Sequence, residues 1–131
     1  MLKTKPIISD IEKTDGIRMS VMSRHTLNDG ITPNLNILPQ HYNLWLPSLA
    51  PPAKLLGDYY KRGLSWDDFS IRFLDFTHTK NTESTITLIG TSALRINVTL
   101  LCIEDNLDRC HRSLLAKRFK ELIPNLDMDL K

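Results

Sequence analysis

Cysteine is scarce in this sequence. Cys102 and Cys110 are the only two among 131 residues, with seven residues between them. A disulfide-stapled secreted scaffold is thereby excluded, and a reducing, cytoplasmic compartment is expected. Long apolar runs are missing too. The longest, Ile96 to Ile103, is broken by Asn97 and Thr99 and falls far short of the roughly 20 residues a membrane helix needs. The first ten residues carry Lys3 and Lys5 and then Ser9 and Asp10 where a secretory signal would continue apolar. Charge of one sign is also lacking. Seventeen basic against fifteen acidic side chains leave a formal +2, a weak field for coating nucleic acid or an anionic membrane. There is no Gly-x-Gly-x-x-Gly, no Walker loop and no Gly-x-Ser-x-Gly, so several common enzyme classes lose their markers.

What is present fits one globular domain over residues 1–131, with 1–14 and 125–131 at its periphery. The chain is 41% hydrophobic and 24% charged, and at this length folding buries roughly two-thirds of the unfolded surface. After Asp15-Gly16, a turn signal, Ile17, Met19 and Val21 alternate with Arg18, Ser20 and Ser23, the pattern of a strand with one buried face. Residues 24–40 carry Asn28-Asp29-Gly30, Pro33, Asn34, Asn36 and Pro39 and read as a long irregular connection of the kind that often serves function.

Helical spacing dominates the next stretch. Tyr42, Trp45, Leu46 and Leu49 stand at i, i+3, i+4, i+7 before Pro51-Pro52. Leu55, Leu56, Tyr59 and Tyr60 share the side of a second helix closed by Gly63. Ser65 with Asp68 forms a capping signal ahead of Phe69, Phe73 and Phe76. Such aromatics can stack bases, but at helical spacing they read as core. Residues 77–95 mix threonines with helically spaced Ile86, Ile89 and Ala93, predicting a helix from about Thr82 or Ser84. Ile96–Ile103 is the clearest strand, rich enough in apolar residues for a central parallel position. Asp108 is the expected cap of a last helix with Leu115, Phe119, Leu122 and Ile123 inward. Strand, helices, strand, helix is an α/β domain, a mainly parallel sheet flanked by helices.

The densest chemistry lies in Cys102-Ile103-Glu104 and Cys110-His111-Arg112. They bracket a predicted strand–loop–helix corner, and ligands of open α/β sheets bind at the carboxyl ends of strands. In a first helical turn Cys110 gains from the dipole and from nearby Arg109 and Arg112, which favours its thiolate; Cys102, ending an apolar strand, is expected to be the desolvated, inert thiol. His111 is a candidate proton carrier and Glu104 a base or orienting partner. Arg112 offers a fork to phosphate or carboxylate, and Arg24, ending the other strand, is placed to join it. The same residues have plainer readings: a buried cysteine, a histidine at a helix end, an arginine paired with Asp108 or Glu104. The phosphatase spacing of cysteine, five residues, arginine is not met, since six separate Cys102 from Arg109. Cys102, Cys110 and His111 supply three soft donors, yet no second ligand pair completes a structural zinc site.

These blocks resemble a known family. Leu100-Leu101-Cys102-Ile103-Glu104 with Cys110-His111-Arg112-Ser113-Leu114-Leu115-Ala116, Asp15-Gly16-Ile17-Arg18 through Ser23-Arg24, and Trp45-Leu46-Pro47-Ser48-Leu49-Ala50-Pro51 followed by Ser65-Trp66-Asp67-Asp68-Phe69 are similar to the domain of unknown function 488, or YeaO-like, family. The turn Ser23–Gly30 departs from the family pattern except at Arg24 and the glycine. The resemblance implies a compact intracellular α/β domain and supplies no activity.

The expectation is therefore a small domain that binds or acts on an anionic, nucleotide-like molecule. Cys110, His111, Glu104 and Cys102 form the catalytic set, Arg24 and Arg112 bind the ligand, and no metal or other cofactor is called for. The alternative is a non-catalytic module for nucleic acid or protein, resting on Arg109, Arg112, Lys117, Arg118 and Lys120 along one helix and on the loop near His25, with the Cys-His-Arg corner purely structural.

Overall fold

The computed structural model describes residues 1–131, and its centre is a five-stranded, wholly parallel sheet in the order β3-β2-β4-β1-β5. The strands are β1 (Leu2–Pro6), β2 (Ile17–Ser20), β3 (Leu44–Trp45), β4 (Val98–Cys102) and β5 (Met128–Leu130). Helices α1 (Ala53–Lys61), α2 (Trp66–Phe76) and α3 (Lys80–Ala93) join β3 to β4, and α4 (His111–Leu122) joins β4 to β5. β4 can sit in the middle because all five of its residues are buried and its one polar side chain, Thr99, donates to the Asp15 main-chain oxygen at 2.7 Å. No helix is long and apolar enough to cross a membrane.

The two sheet faces differ. On one, Leu2, Met19, Val21, Val98 and Leu100 meet residues of all four helices, among them Leu55, Phe73, Ile86 and Phe119, in the main core. Each such side chain contributes about 1.5–3 kcal/mol by leaving water. On the other face Lys3, Lys5, Arg18 and Ser20 alternate with them and are buried as well. Ile7, Asp15, His25 and His41, from the segments that follow β1 and β2, form a roof over this polar face by bonding Arg18 and Ser20. Asp15, fully buried, anchors the roof: its carboxylate is 2.6 Å from Lys5 Nζ, 2.6 Å from Arg18 Nη1 and 3.5 Å from Lys3 Nζ, and it accepts from the Glu12 amide at 3.0 Å. Gly16 makes the turn into β2 at φ +62°, where a Cβ would stand 1.9 Å from the Asn97 carbonyl oxygen.

Several helical expectations hold. The Ser65 side chain accepts from the Asp68 amide and starts α2; the threonine-rich segment is helical from Lys80; Gly63, at φ +76°, follows α1. Others are corrected. Residues 1–14 are not peripheral, because Leu2–Pro6 pairs with β4 on one side and β5 on the other. Residues 42–49 are not a helix. Pro47 interrupts the segment, and Leu44–Trp45 pairs as an edge strand with Met19 and Ser20. Arg18 and Ser20 face a buried layer rather than solvent, since Asp15 neutralises the one and His25 binds the other. Asp108 does not cap α4. It lies in a 3-10 turn capped by Asn106, and Cys110 is the residue that precedes the helix.

Candidate functional site

Parallel pairing of β2 with β4 brings their carboxyl ends to one rim, with Ser20 level with Leu101. Cys102 ends β4, Cys110 precedes α4 and His111 begins it, so a single corner gathers all three. Their ligand atoms lie within 4.8 Å of one another, and all three residues are buried. His111 Nε2 is 2.8 Å from the Val21 carbonyl oxygen. A carbonyl only accepts, so Nε2 carries the hydrogen and Nδ1 keeps its lone pair in the neutral ring. That lone pair faces Cys102 Sγ at 3.8 Å. The edge of Phe73 packs on the imidazole and holds its plane.

The thiols divide in the opposite sense to that read from sequence. A hydrogen bond from the Cys110 thiol holds the Cys102 pKa below its ordinary value against the opposing effect of burial, with help from the Glu104 and Ile103 amides and the Arg112 charge. Donating to Cys102, together with burial, pushes Cys110 well above the ordinary range despite His111 nearby. Cys102 is the anion-prone sulfur because the loop after β4 turns its amides back onto it, whereas Cys110 stands one residue outside the helix. No fourth cysteine, histidine or carboxylate joins the three donors, so a closed four-ligand metal centre is not built here.

Glu104 and Arg112 sit beside this corner without pairing through their side chains. Arg112 is fully buried and donates from Nη1 to the Glu104 main-chain oxygen at 2.6 Å and from Nη2 to that of Lys131 at 3.1 Å. Its fork is committed to carbonyls and holds the loop closed. The Glu104 carboxylate accepts instead from the Tyr60 hydroxyl at 3.0 Å. Partial desolvation of the hydroxyl, then the Glu104 charge, raises the Tyr60 pKa, with Cys102 and Cys110 adding to it. Tyr60, largely exposed, thus belongs to the mouth of the site. Its helical spacing with Leu56 and Tyr59 gave it the look of core.

Arg24 is exposed and lies against Gly30 in its own loop. The next residue, His25, does more: its Nε2 is 2.7 Å from Ser20 Oγ, and its ring stacks on Trp45 and tilts against Tyr42. In the sequence the loop near His25 supports only a binding module, and Ser20, Tyr42 and Trp45 are not marked as site residues, because the strand that aligns Trp45 with Ser20 is two residues long. Asp15 and Arg18, in the family-like block before Arg24, are buried supports for the polar sheet face. The supposed basic face of α4 dissolves. Arg112 is internal, Arg118 bridges Glu83 and Glu121 at 2.8 Å each, and Lys120 donates to the Leu126 carbonyl; of the five cations Arg109 and Lys117 remain as exposed side chains without such a partner.

The family model described as the Active DUF488-N3 subclade matches residues 2–122. No curated protein and no solved structure matches the chain.

Proposed function

The chain belongs to the DUF488 family, and on that premise we propose that it is a thiol-dependent enzyme acting on an anionic, nucleotide-like small molecule at the carboxyl-end rim. The observation that carries the reading is the ordered trio of Cys102, Cys110 and His111. A histidine whose tautomer is fixed by Val21 presents its lone pair to the one sulfur whose surroundings favour the anion. Cys102 is the nucleophile, and His111 takes its proton and returns it to a leaving group. Cys110 stabilises the anion as a donor. Glu104 with Tyr60 supplies a second proton-handling pair at the mouth, and exposed Arg24 attracts the anionic part of the ligand. The family description of this subclade as active agrees with a catalytic role. Two unpaired thiols fit a reducing, cytoplasmic setting.

A second reading, a structural corner, is favoured by the complete burial of Arg112 on two carbonyls. Protection from alkylation separates the two. The purified protein is treated with iodoacetamide at neutral pH, alone and with millimolar AMP or UMP, and the two cysteines are followed by peptide mass spectrometry. The enzyme reading expects Cys102 to react first and a nucleotide to slow it severalfold. Equal slow reaction at both cysteines, unchanged by either nucleotide, supports the corner and ends the enzyme reading.

A further inference from the structure

The rim carries an aromatic stack that the thiol chemistry leaves unused. His25 stands next to both Trp45 and Tyr42, with ring centroids 4.3 Å and 4.7 Å away. Trp45 is fixed on two sides: its ring meets His25, and its Nε1 donates to the Met22 carbonyl at 2.7 Å. His25 is fixed in turn by Ser20, which is fully buried, and burial keeps the imidazole pKa low, so the ring is uncharged at neutral pH. Trp45 nevertheless remains 43% exposed at the carboxyl end of an edge strand. An indole clamped on one face and one edge, with this much surface left open, is a rigid flat platform whose ordering has been completed before anything binds.

The platform adjoins the thiol corner. Two consecutive carbonyls, Val21 and Met22, accept from His111 and from Trp45 respectively, which keeps those two donors within roughly 12 Å of each other. Tyr42 also packs against the small apolar cluster that contains Cys102, Cys110 and Met22. A nucleotide spans this interval, with a flat base at one end and its sugar and phosphate at the other.

We propose that the outer face of Trp45 is the stacking shelf for the planar heteroaromatic ring of the ligand, leaving the anionic end to reach toward Cys102. The inference deepens the nucleotide-like reading above and rests on it. Stacking on an aromatic side chain tolerates any base, so the shelf selects for a ring and leaves the choice among bases to other contacts.

Equilibrium dialysis with AMP, UMP and ribose 5-phosphate tests this on the intact chain, its Trp45→Ala and Trp45→Phe variants, and the Arg24→Ala variant. A shelf gives the nucleotides about ten-fold tighter binding than ribose 5-phosphate. Trp45→Ala removes that preference and Trp45→Phe retains most of it, while Arg24→Ala weakens all three probes alike. Nucleotide binding also quenches tryptophan emission in the wild type and not in Trp45→Phe, where Trp66 alone reports. Equal affinity for nucleotides and ribose 5-phosphate in the wild type overturns the shelf while leaving the anion site in place. Failure of all three probes to bind overturns both. The wild-type comparison decides even if Trp45→Ala does not fold.

Discussion

Arg112 grips the Glu104 main chain at 2.6 Å and leaves its carboxylate to Tyr60. The arginine is therefore a clasp on the loop after β4, indifferent to which side chain position 104 carries. A double-mutant cycle in urea between Glu104→Ala and Arg112→Ala should give a coupling within about 0.5 kcal/mol of zero. Arg112→Ala by itself should cost about 3 kcal/mol or more, because it removes a fully buried side chain, opens a large cavity and leaves the Glu104 and Lys131 main-chain oxygens without their donor. Coupling above 1 kcal/mol would mean that the carboxylate shares in the clasp.

The Cys110 thiol is the largest influence lowering the Cys102 pKa. Removing it by Cys110→Ala should move the midpoint of the pH–rate profile for alkylation of Cys102 upward, toward an ordinary thiol. At neutral pH Cys102 should then react several times more slowly, since less of it is thiolate. Iodoacetamide rates between pH 5 and 10 read this directly; an unmoved midpoint removes Cys110 from the account.

Asp15 lies among Lys3, Lys5 and Arg18 on the polar sheet face. Burial opposes its ionisation, but the Lys5 hydrogen bond, the Glu12 amide and Arg18 outweigh that and hold the carboxyl well below the usual range. A depressed acid contributes stability above its unfolded pKa and loses that contribution as the pH falls toward the folded value. The wild type should accordingly weaken below about pH 4. Asp15→Asn should cost about 3–5 kcal/mol at neutral pH by leaving buried Lys3 and Arg18 without their anion and Lys5 with only the Glu12 carboxylate, 3.2 Å away, and its remaining stability should depend less on acid. Urea midpoints at pH 3, 5 and 7 for both proteins check the prediction.

Gly16→Ala is expected to be among the most damaging single-methyl additions. It places a Cβ 1.9 Å from the Asn97 carbonyl oxygen in a left-handed conformation, and neither backbone can withdraw without separating β2 from β4. Gly63→Ala shares the positive φ, yet nothing lies within 4 Å of its added carbon. Thermal melts of the pair should therefore differ, with Gly16→Ala losing considerably more.

The legible parts of this fold were those where local signals and tertiary burial agree. β4 is apolar but for Thr99, Ser65 is a strong cap, and Leu115 and Phe119 stripe α4. Sequence reasoning failed where one face of the sheet is polar and still buried. Lys3, Lys5 and Arg18 have the composition of a surface, and only Asp15, brought over them by the turn at Gly16, makes their burial tolerable. Trp45 misled for another reason: a two-residue strand is too short to show its period, so the helical spacing with Tyr42 and Leu49 stood unopposed. At the site, the gathering of Cys102, Cys110 and His111 followed from the strand–helix corner. Which sulfur would be the anion did not, because it depends on amides that fold back only once the loop is closed.

The strand order has a bearing on how the chain is assembled during synthesis. β1 and β2 precede the other strands but do not pair with each other; β4, residues 98–102, is the strand that lies between them. Until the chain has been made as far as Val98, β1 has no partner and Lys3, Lys5 and Arg18 have no common layer. Formation of the sheet must therefore await a late segment arriving at the centre, joining distant residues at a high entropic cost of loop closure. A nascent chain halted before Val98 should stay open to protease throughout, and one extended past Leu122 should acquire resistance in a single step.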